Sequence, residues 1–101
     1  MFADLKLAVT GAIGASGQTI RALLAAGGVP IEQVRLLEQV SEEAIISEYA
    51  GHPTLIGTLD PEALADRDLV FLCGTPEESK RCLLWEHKRG ALHVDLSGAA
   101  V

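Results

Sequence analysis

The sequence predicts an α/β domain: an open, doubly wound, mainly parallel sheet with flanking helices. Three observations carry this. Short apolar runs of strand length alternate with segments of helical spacing. Gly11, Gly14 and Gly17 fall between the first run and the first helix. The chain has 101 residues, of which 49% are hydrophobic and 22% charged, which is enough to fill one core and too apolar for a disordered polymer.

Residues 5–10 are the first run, and it stops abruptly at Gly11-Ala12-Ile13-Gly14-Ala15-Ser16-Gly17, so a strand and a tight turn are expected. Residues 18–26 set Ile20, Leu23 and Leu24 at helical spacing, and Gly27-Gly28 supplies the positive-φ tolerance with which helices stop. Residues 33–37, after Pro30, read as a second strand ending at Glu38. Residues 41–59 are the least patterned, and two strands hinged at Gly51-His52-Pro53 are expected there.

Asp60-Pro61-Glu62 starts a short helix to Asp66, with Asp as N-cap and Pro where a missing N–H costs nothing. Leu69-Val70-Phe71-Leu72-Cys73 is continuously apolar, the pattern of a parallel strand covered on both faces. Thr75-Pro76-Glu77-Glu78 opens the last helix as a capping box, in which the Thr hydroxyl and the Glu carboxylate each satisfy the other's backbone amide. That helix is expected to reach Arg89, before Gly90, with Lys88 and Arg89 complementing the partial charge at its end. Residues 92–96 form the last short strand.

Eight basic against fourteen acidic residues leave a formal charge of −6, with no basic cluster to attract phosphate backbones or anionic lipid. Neither nucleic acid nor membrane is expected as a partner. The N-terminus lacks a basic region ahead of an apolar stretch, and no run approaches the roughly 18 apolar residues of a membrane span. Cys73 and Cys82 make no disulfide framework and have no CxxC spacing, so a reducing, cytoplasmic setting is expected.

The position of the glycine triplet gives it meaning. At the first position glycine permits the tight turn, at the second it lets backbone approach a pyrophosphate, and at the third it allows close packing of helix on sheet. The helix that follows turns free N–H groups and a positive dipole end toward the phosphates, and Ser16 can add a hydroxyl donor. The same fingerprint expects an acidic residue about 20 positions on, accepting hydrogen bonds from ribose hydroxyls. Glu38 lies 21 residues past Gly17. A carboxylate there would repel the 2′-phosphate of NADP, so NAD is favoured over NADP; a solvated strand-end Glu is the alternative. Arg35 lies within the strand and is a weaker phosphate candidate than a loop residue would be.

With its neighbours, Leu7-Ala8-Val9-Thr10-Gly11-Ala12-Ile13-Gly14-Ala15-Ser16-Gly17 resembles the opening of the aspartate-semialdehyde dehydrogenase family, whose GATGAVG-type loop has the same glycine spacing. The segment from Val29-Pro30-Ile31 through Leu36-Leu37 is similar to the family's approach to its second strand, and Asp95-Leu96-Ser97-Gly98-Ala99 to its D-x-S-x-A motif. The resemblance spans nearly the whole chain but only the family's N-terminal half.

It implies a Rossmann-like NAD(P)-binding domain over residues 1–101 of a semialdehyde dehydrogenase, an oxidoreductase of amino-acid biosynthesis that interconverts an acyl phosphate and an aldehyde. In that family the nucleophilic cysteine and its histidine base lie beyond this sequence, and neither Cys73 nor Cys82 matches them, so these residues alone are not expected to turn over. The resemblance brings Gly74, Thr75 and Ser97 to the cofactor beside the glycine loop and Glu38. Two departures stand out. Glu38-Gln39-Val40-Ser41-Glu42 replaces the small residue, Ser and Arg typical of NADP-using members, and Gly74-Thr75-Pro76-Glu77 replaces a glycine- and serine-rich segment near the nicotinamide. The N-acetyl-glutamyl-phosphate reductases, which share the glycine loop and a D-L-S-A motif, are the alternative family. A non-catalytic NAD-binding or interaction module is the alternative class. An apolar surface left by a missing second domain would favour a homodimer.

Other residues have simpler readings. Cys73, at the carboxyl end of a central strand, reads as a buried thiol before a cofactor contact, and Cys82 lies in an apolar helical stripe with Trp85. His52, His87 and His93 share no ligand spacing, so no metal is assigned. Thr75 is accounted for by capping, Ser97 by a turn or a nicotinamide contact, and Asp95 by a hydrogen bond that orders its loop.

Overall fold

The structure, a computed structural model, describes residues 5–38, 45–86 and 92–96. The expectations for Gln39, Val40, Ser41, Glu42, His87, Lys88, Arg89, Gly90, Ser97, Gly98 and Ala99 lie outside these residues, as does that for the Trp85 side chain.

Six strands are described: β1 (Leu7–Thr10), β2 (Val34–Glu38), β3 (Ile45–Tyr49), β4 (His52–Thr58), β5 (Leu69–Leu72) and β6 (Leu92–Asp95). Three α-helices accompany them, α1 (Ala15–Ala26), α2 (Pro61–Leu64) and α3 (Pro76–Glu86), with a single 3₁₀ turn at Ile31–Gln33. The strands form one sheet in the order β3-β4-β2-β1-β5-β6, parallel except for the β3–β4 hairpin. The expected Rossmann-like architecture is the observed one.

β1 lies at the centre, with Leu7 in register with Val34 of β2 on one side and Leu69 of β5 on the other. All four of its residues are buried. The strand's two-residue period then splits the core in two. Leu7 and Val9 point into one cluster with Val34, Leu36, Tyr49 and Ile56, against which Ile20, Leu24 and Ala25 of α1 pack. Ala8 points the other way, to Leu37, Leu64, Val70, Leu72 and Cys82, beneath α2 and α3. Helices thus cover both faces, as double winding requires.

Several boundaries differ from expectation for local reasons. α1 begins at Ala15 rather than Gln18, because Gly14 (φ −74°, ψ 173°) already serves as its N-cap. The hinge of the hairpin is Ala50-Gly51, both with positive φ, the two-residue turn that matches strand twist; His52 and Pro53 already belong to β4. α2 is a single turn ending at Leu64, with the Asp60 carboxylate accepting from Ala63 N–H at 2.7 Å as its cap. β5 is covered fully on one face only: Val70 and Leu72 are buried, whereas Leu69 and Phe71 are half-buried. Beside them the edge strand β6 turns out Leu92 and Val94, so an apolar stripe is uncovered on that side.

Two polar anchors hold the hairpin. The buried Arg21 guanidinium of α1 donates to Ser47 Oγ (2.9 Å) and the Glu48 carbonyl (3.0 Å), and Tyr49 Oη donates to the Val29 carbonyl at 2.7 Å.

Candidate functional site

β1 runs to β2 on one side of the sheet, and the chain then returns through α2 to β5 on the other, so the carboxyl end of β1 is a topological switch point. The glycine turn sits there. Its three glycines do three different things. Gly11 has φ 60°, and a Cβ on it would lie 2.6 Å from the backbone of Gly74, so this turn must be glycine both for its conformation and for the approach of the β5–α3 loop. A Cβ on Gly17 would strike the Gly11 carbonyl and come within 2.8 Å of Ala12 Cα, which fits the close packing of helix on turn. Gly14 has ordinary φ, and its Cβ would meet only the Gly11 carbonyl, at 3.5 Å; what its hydrogen leaves open is the cleft itself.

That cleft, about 340 Å³, is lined by Gly11, Ile13, Gly14, Glu38, Cys73, Gly74, Thr75 and Glu78. α1 starts at its rim with Ala15, Ser16 and Gly17, whose amides precede the first intrahelical bond, from Gln18 N–H to the Gly14 carbonyl. No acidic residue occupies that first turn, so the dipole end is not already neutralised. Ala12 stands apart: it is fully buried, and its N–H donates to the Leu37 carbonyl at 3.1 Å, so it fixes the turn to β2.

The end of β2 brings Glu38 to the loop, where its Oε2 accepts from Ile13 N–H at 3.0 Å. Spacing alone suggested the two would meet. Thr75 caps α3 as expected, its Oγ1 accepting from Glu78 N–H at 3.2 Å, and the reciprocal bond from Thr75 N–H to the Glu78 carboxylate completes the box. Ser97 lies outside the described residues.

The sequence reading missed two members of the cleft. Cys73 is half-buried at its wall, not sealed in the core, and burial pushes its thiol up to about 11. Glu78, read only as a capping residue, is 2% exposed; its Oε2 fills the space where Gly74 has no side chain, and Oε1 is buried without a partner. Burial first, and then the nearby charge of Glu38, raise its pKa against the Thr75 amide and Arg81. A glycine beside a capping-box glutamate was the available signal.

Cys82 is buried in the core as expected, His52 is exposed, and no cluster of metal-ligating residues occurs among the described residues. Arg35 donates to the Ala63 carbonyl and to Asp66, tying β2 to α2. A larger open cleft of about 610 Å³ lies beside it, but its two guanidiniums are committed to structure, Arg67 binding Asp66 and the Leu7 carbonyl. No helix among the described residues is long and apolar enough to cross a membrane.

No family model matches the chain. Aspartate-semialdehyde dehydrogenase of Synechocystis sp. is 31% identical over 99 residues, which is 98% of this chain and 29% of that protein. The chain is related to the aspartate-semialdehyde dehydrogenase family over nearly its full length. Solved structures agree with this family relationship. A probable aspartate-semialdehyde dehydrogenase from Pseudomonas aeruginosa matches with a TM-score of 0.79 and 26% identity, over 94% of this chain and 28% of that one. Aspartate semialdehyde dehydrogenase II of Vibrio cholerae, complexed with ASA, matches with a TM-score of 0.75 over 93% of this chain and 31% of that one; at 18% identity this is a likeness of fold. The chain thus spans under a third of the length of these aspartate-semialdehyde dehydrogenases.

Proposed function

We propose that the chain is the dinucleotide-binding part of a semialdehyde dehydrogenase, holding NAD(P) while acyl phosphate and aldehyde interconvert on residues outside it. The observation that supports this best is the glycine turn at the switch point, with an open Gly14 and the unneutralised start of α1 on one cleft. The amides of Ala15, Ser16 and Gly17 receive the pyrophosphate, with the Ser16 hydroxyl beside them. Gly11 and Gly17 hold the turn in shape, and Ala12 and Ile13 fasten it to β2.

Glu38, already oriented by Ile13 N–H, accepts from the adenosine ribose hydroxyls, which favours NAD because a 2′-phosphate would meet a carboxylate. Gly74 and Thr75 form the opposite wall, and Ser97, outside the described residues, is assigned to the nicotinamide on the family resemblance alone. The nicotinamide, when bound, supplies the hydride acceptor or donor; these residues bind and orient it. The uncovered stripe of β6 suits a second domain or a homodimer.

Calorimetric titration with NAD and NADP tests this. Saturable binding, tighter for NAD and lost in Gly14→Asp, is expected. Tighter NADP would refute the role given to Glu38, and affinity unchanged by Gly14→Asp would refute the phosphate cradle.

A further inference from the structure

Among the described residues lining the cleft, one buried side-chain oxygen has no hydrogen-bond partner. It is Glu78 Oε1, while Oε2 fills the space over Gly74 where a side chain would stand. Leaving such a group unpaired costs about 1–3 kcal/mol, so it calls for a reason beyond capping, which an exposed Glu performs as well. Its place supplies one: it lines the same cleft as Gly11 and Gly14, the N-cap of α1.

We propose that Glu78 is a further binding residue of this site, donating from its carboxyl Oε1 to a pyrophosphate oxygen of the dinucleotide. The proposal rests on the dinucleotide reading above and adds a residue to it. The groups facing Glu78 are Glu38 from β2, Cys73 from the end of β5, Thr75 ahead of α3 and Arg81 within it. Burial and the Glu38 charge favour its neutral, protonated form. A neutral carboxyl is a donor, and an anion at a cluster of backbone amides is the acceptor it lacks. Ionisation would remove the donor and set a second negative charge beside the phosphate. Dinucleotide affinity therefore falls as pH rises through the Glu78 titration.

The test is titration of the full chain with NAD and, separately, adenosine over a range of pH, using wild type, Glu78→Gln and Glu78→Ala. For wild type, NAD affinity is expected to be flat in acid and to fall by up to about tenfold per pH unit once Glu78 ionises. Glu78→Gln keeps an N–H donor without the charge and should bind NAD at every pH as wild type does in acid. Glu78→Ala should bind more weakly with a flat profile, and adenosine should show no such pH component. If Glu78→Gln retains the wild-type pH profile, the proposal is overturned while the dinucleotide reading stands. A profile shared by adenosine would move the contact to ribose and overturn the phosphate assignment. Failure of wild type to bind NAD at any pH would overturn the dinucleotide reading and this proposal with it. Thermal unfolding of each variant confirms that a folded protein is being titrated.

Discussion

Adding one methyl group at each of the three glycines should separate their roles. Gly11→Ala forces φ 60° on a residue with a Cβ and drives that Cβ to 2.6 Å from Gly74 backbone. The first effect costs about 1–2 kcal/mol and the second about 1–3 kcal/mol, so a loss near 3 kcal/mol is expected. Gly17→Ala meets three backbone atoms that cannot rotate away, costing about 1–3 kcal/mol, offset by the roughly 1 kcal/mol by which alanine favours a helix. A net loss of up to about 2 kcal/mol follows. Gly14→Ala meets only a carbonyl at 3.5 Å but replaces a glycine N-cap with alanine, a much poorer one, a loss of about 0.5–1 kcal/mol. Its methyl enters the cleft, however, so dinucleotide affinity should drop at least about tenfold, equivalent to about 1.4 kcal/mol. Urea unfolding with unchanged m-values gives the stabilities, and NAD titration gives the affinities. A Gly14→Ala protein as destabilised as Gly11→Ala, or one that binds as wild type does, would refute this division of labour.

Three further outcomes are expected. Cys73, with its thiol pushed up to about 11, is about one part in 1,000 thiolate at pH 8, so iodoacetamide should label it far more slowly than a free thiol, and more slowly still with dinucleotide bound. Asp66 is held below the usual carboxylate range, chiefly by its hydrogen bonds from Arg67 and then by the charges of Arg67 and Arg35. Its stabilisation is complete above the unfolded aspartate range and fades as pH falls through the depressed folded value; Asp66→Asn should cost about 1 kcal/mol or less at neutral pH, the group being 47% exposed, and nothing in strong acid. Ala50 adopts φ 53° in the hairpin turn, so Ala50→Asn should stabilise by up to about 1 kcal/mol, read as a raised urea midpoint.

Where one physical effect dominated, the fold was legible in the residues. The runs that became β1 and β5 were apolar enough to be read without their partners, and the caps at Asp60 and Thr75 are local chemistry that tertiary contacts did not override. The first turn of α1 was hidden because Ala15, Ser16 and Gly17 carry no helical periodicity; their helix is set by Gly14 and by packing at Gly17. Two hinged strands were expected where the hairpin lies, but the turn was set too late because it places an alanine, Ala50, at positive φ, a conformation sequence rules assign to Gly or Asn. At the site, spacing was enough to bring Glu38 to the loop. Glu78 was overlooked because its burial depends on the space over Gly74, which the adjacent glycine hints at but only the approach of two distant turns creates.

The charge of the cleft leads to a last expectation. Among the described residues its titratable side chains are Glu38, Glu78 and Cys73, and the lining contains no Lys or Arg. Arg21, the cation of α1, is turned away to Ser47 and Glu48 of the hairpin. A phosphate held here is held by backbone amides and the helix dipole, against at least one carboxylate. Salt screens long-range repulsion between exposed charges more than short amide bonds inside a cleft, the Debye length shrinking from about 30 Å at 0.01 M to about 10 Å at 0.1 M. Dinucleotide affinity should therefore stay level or rise slightly across that range, opposite to the fall expected of a site built on lysines and arginines. Titration at the two ionic strengths checks it, and a steep fall would mean that a cation outside the described residues, not the glycine turn, carries the phosphate.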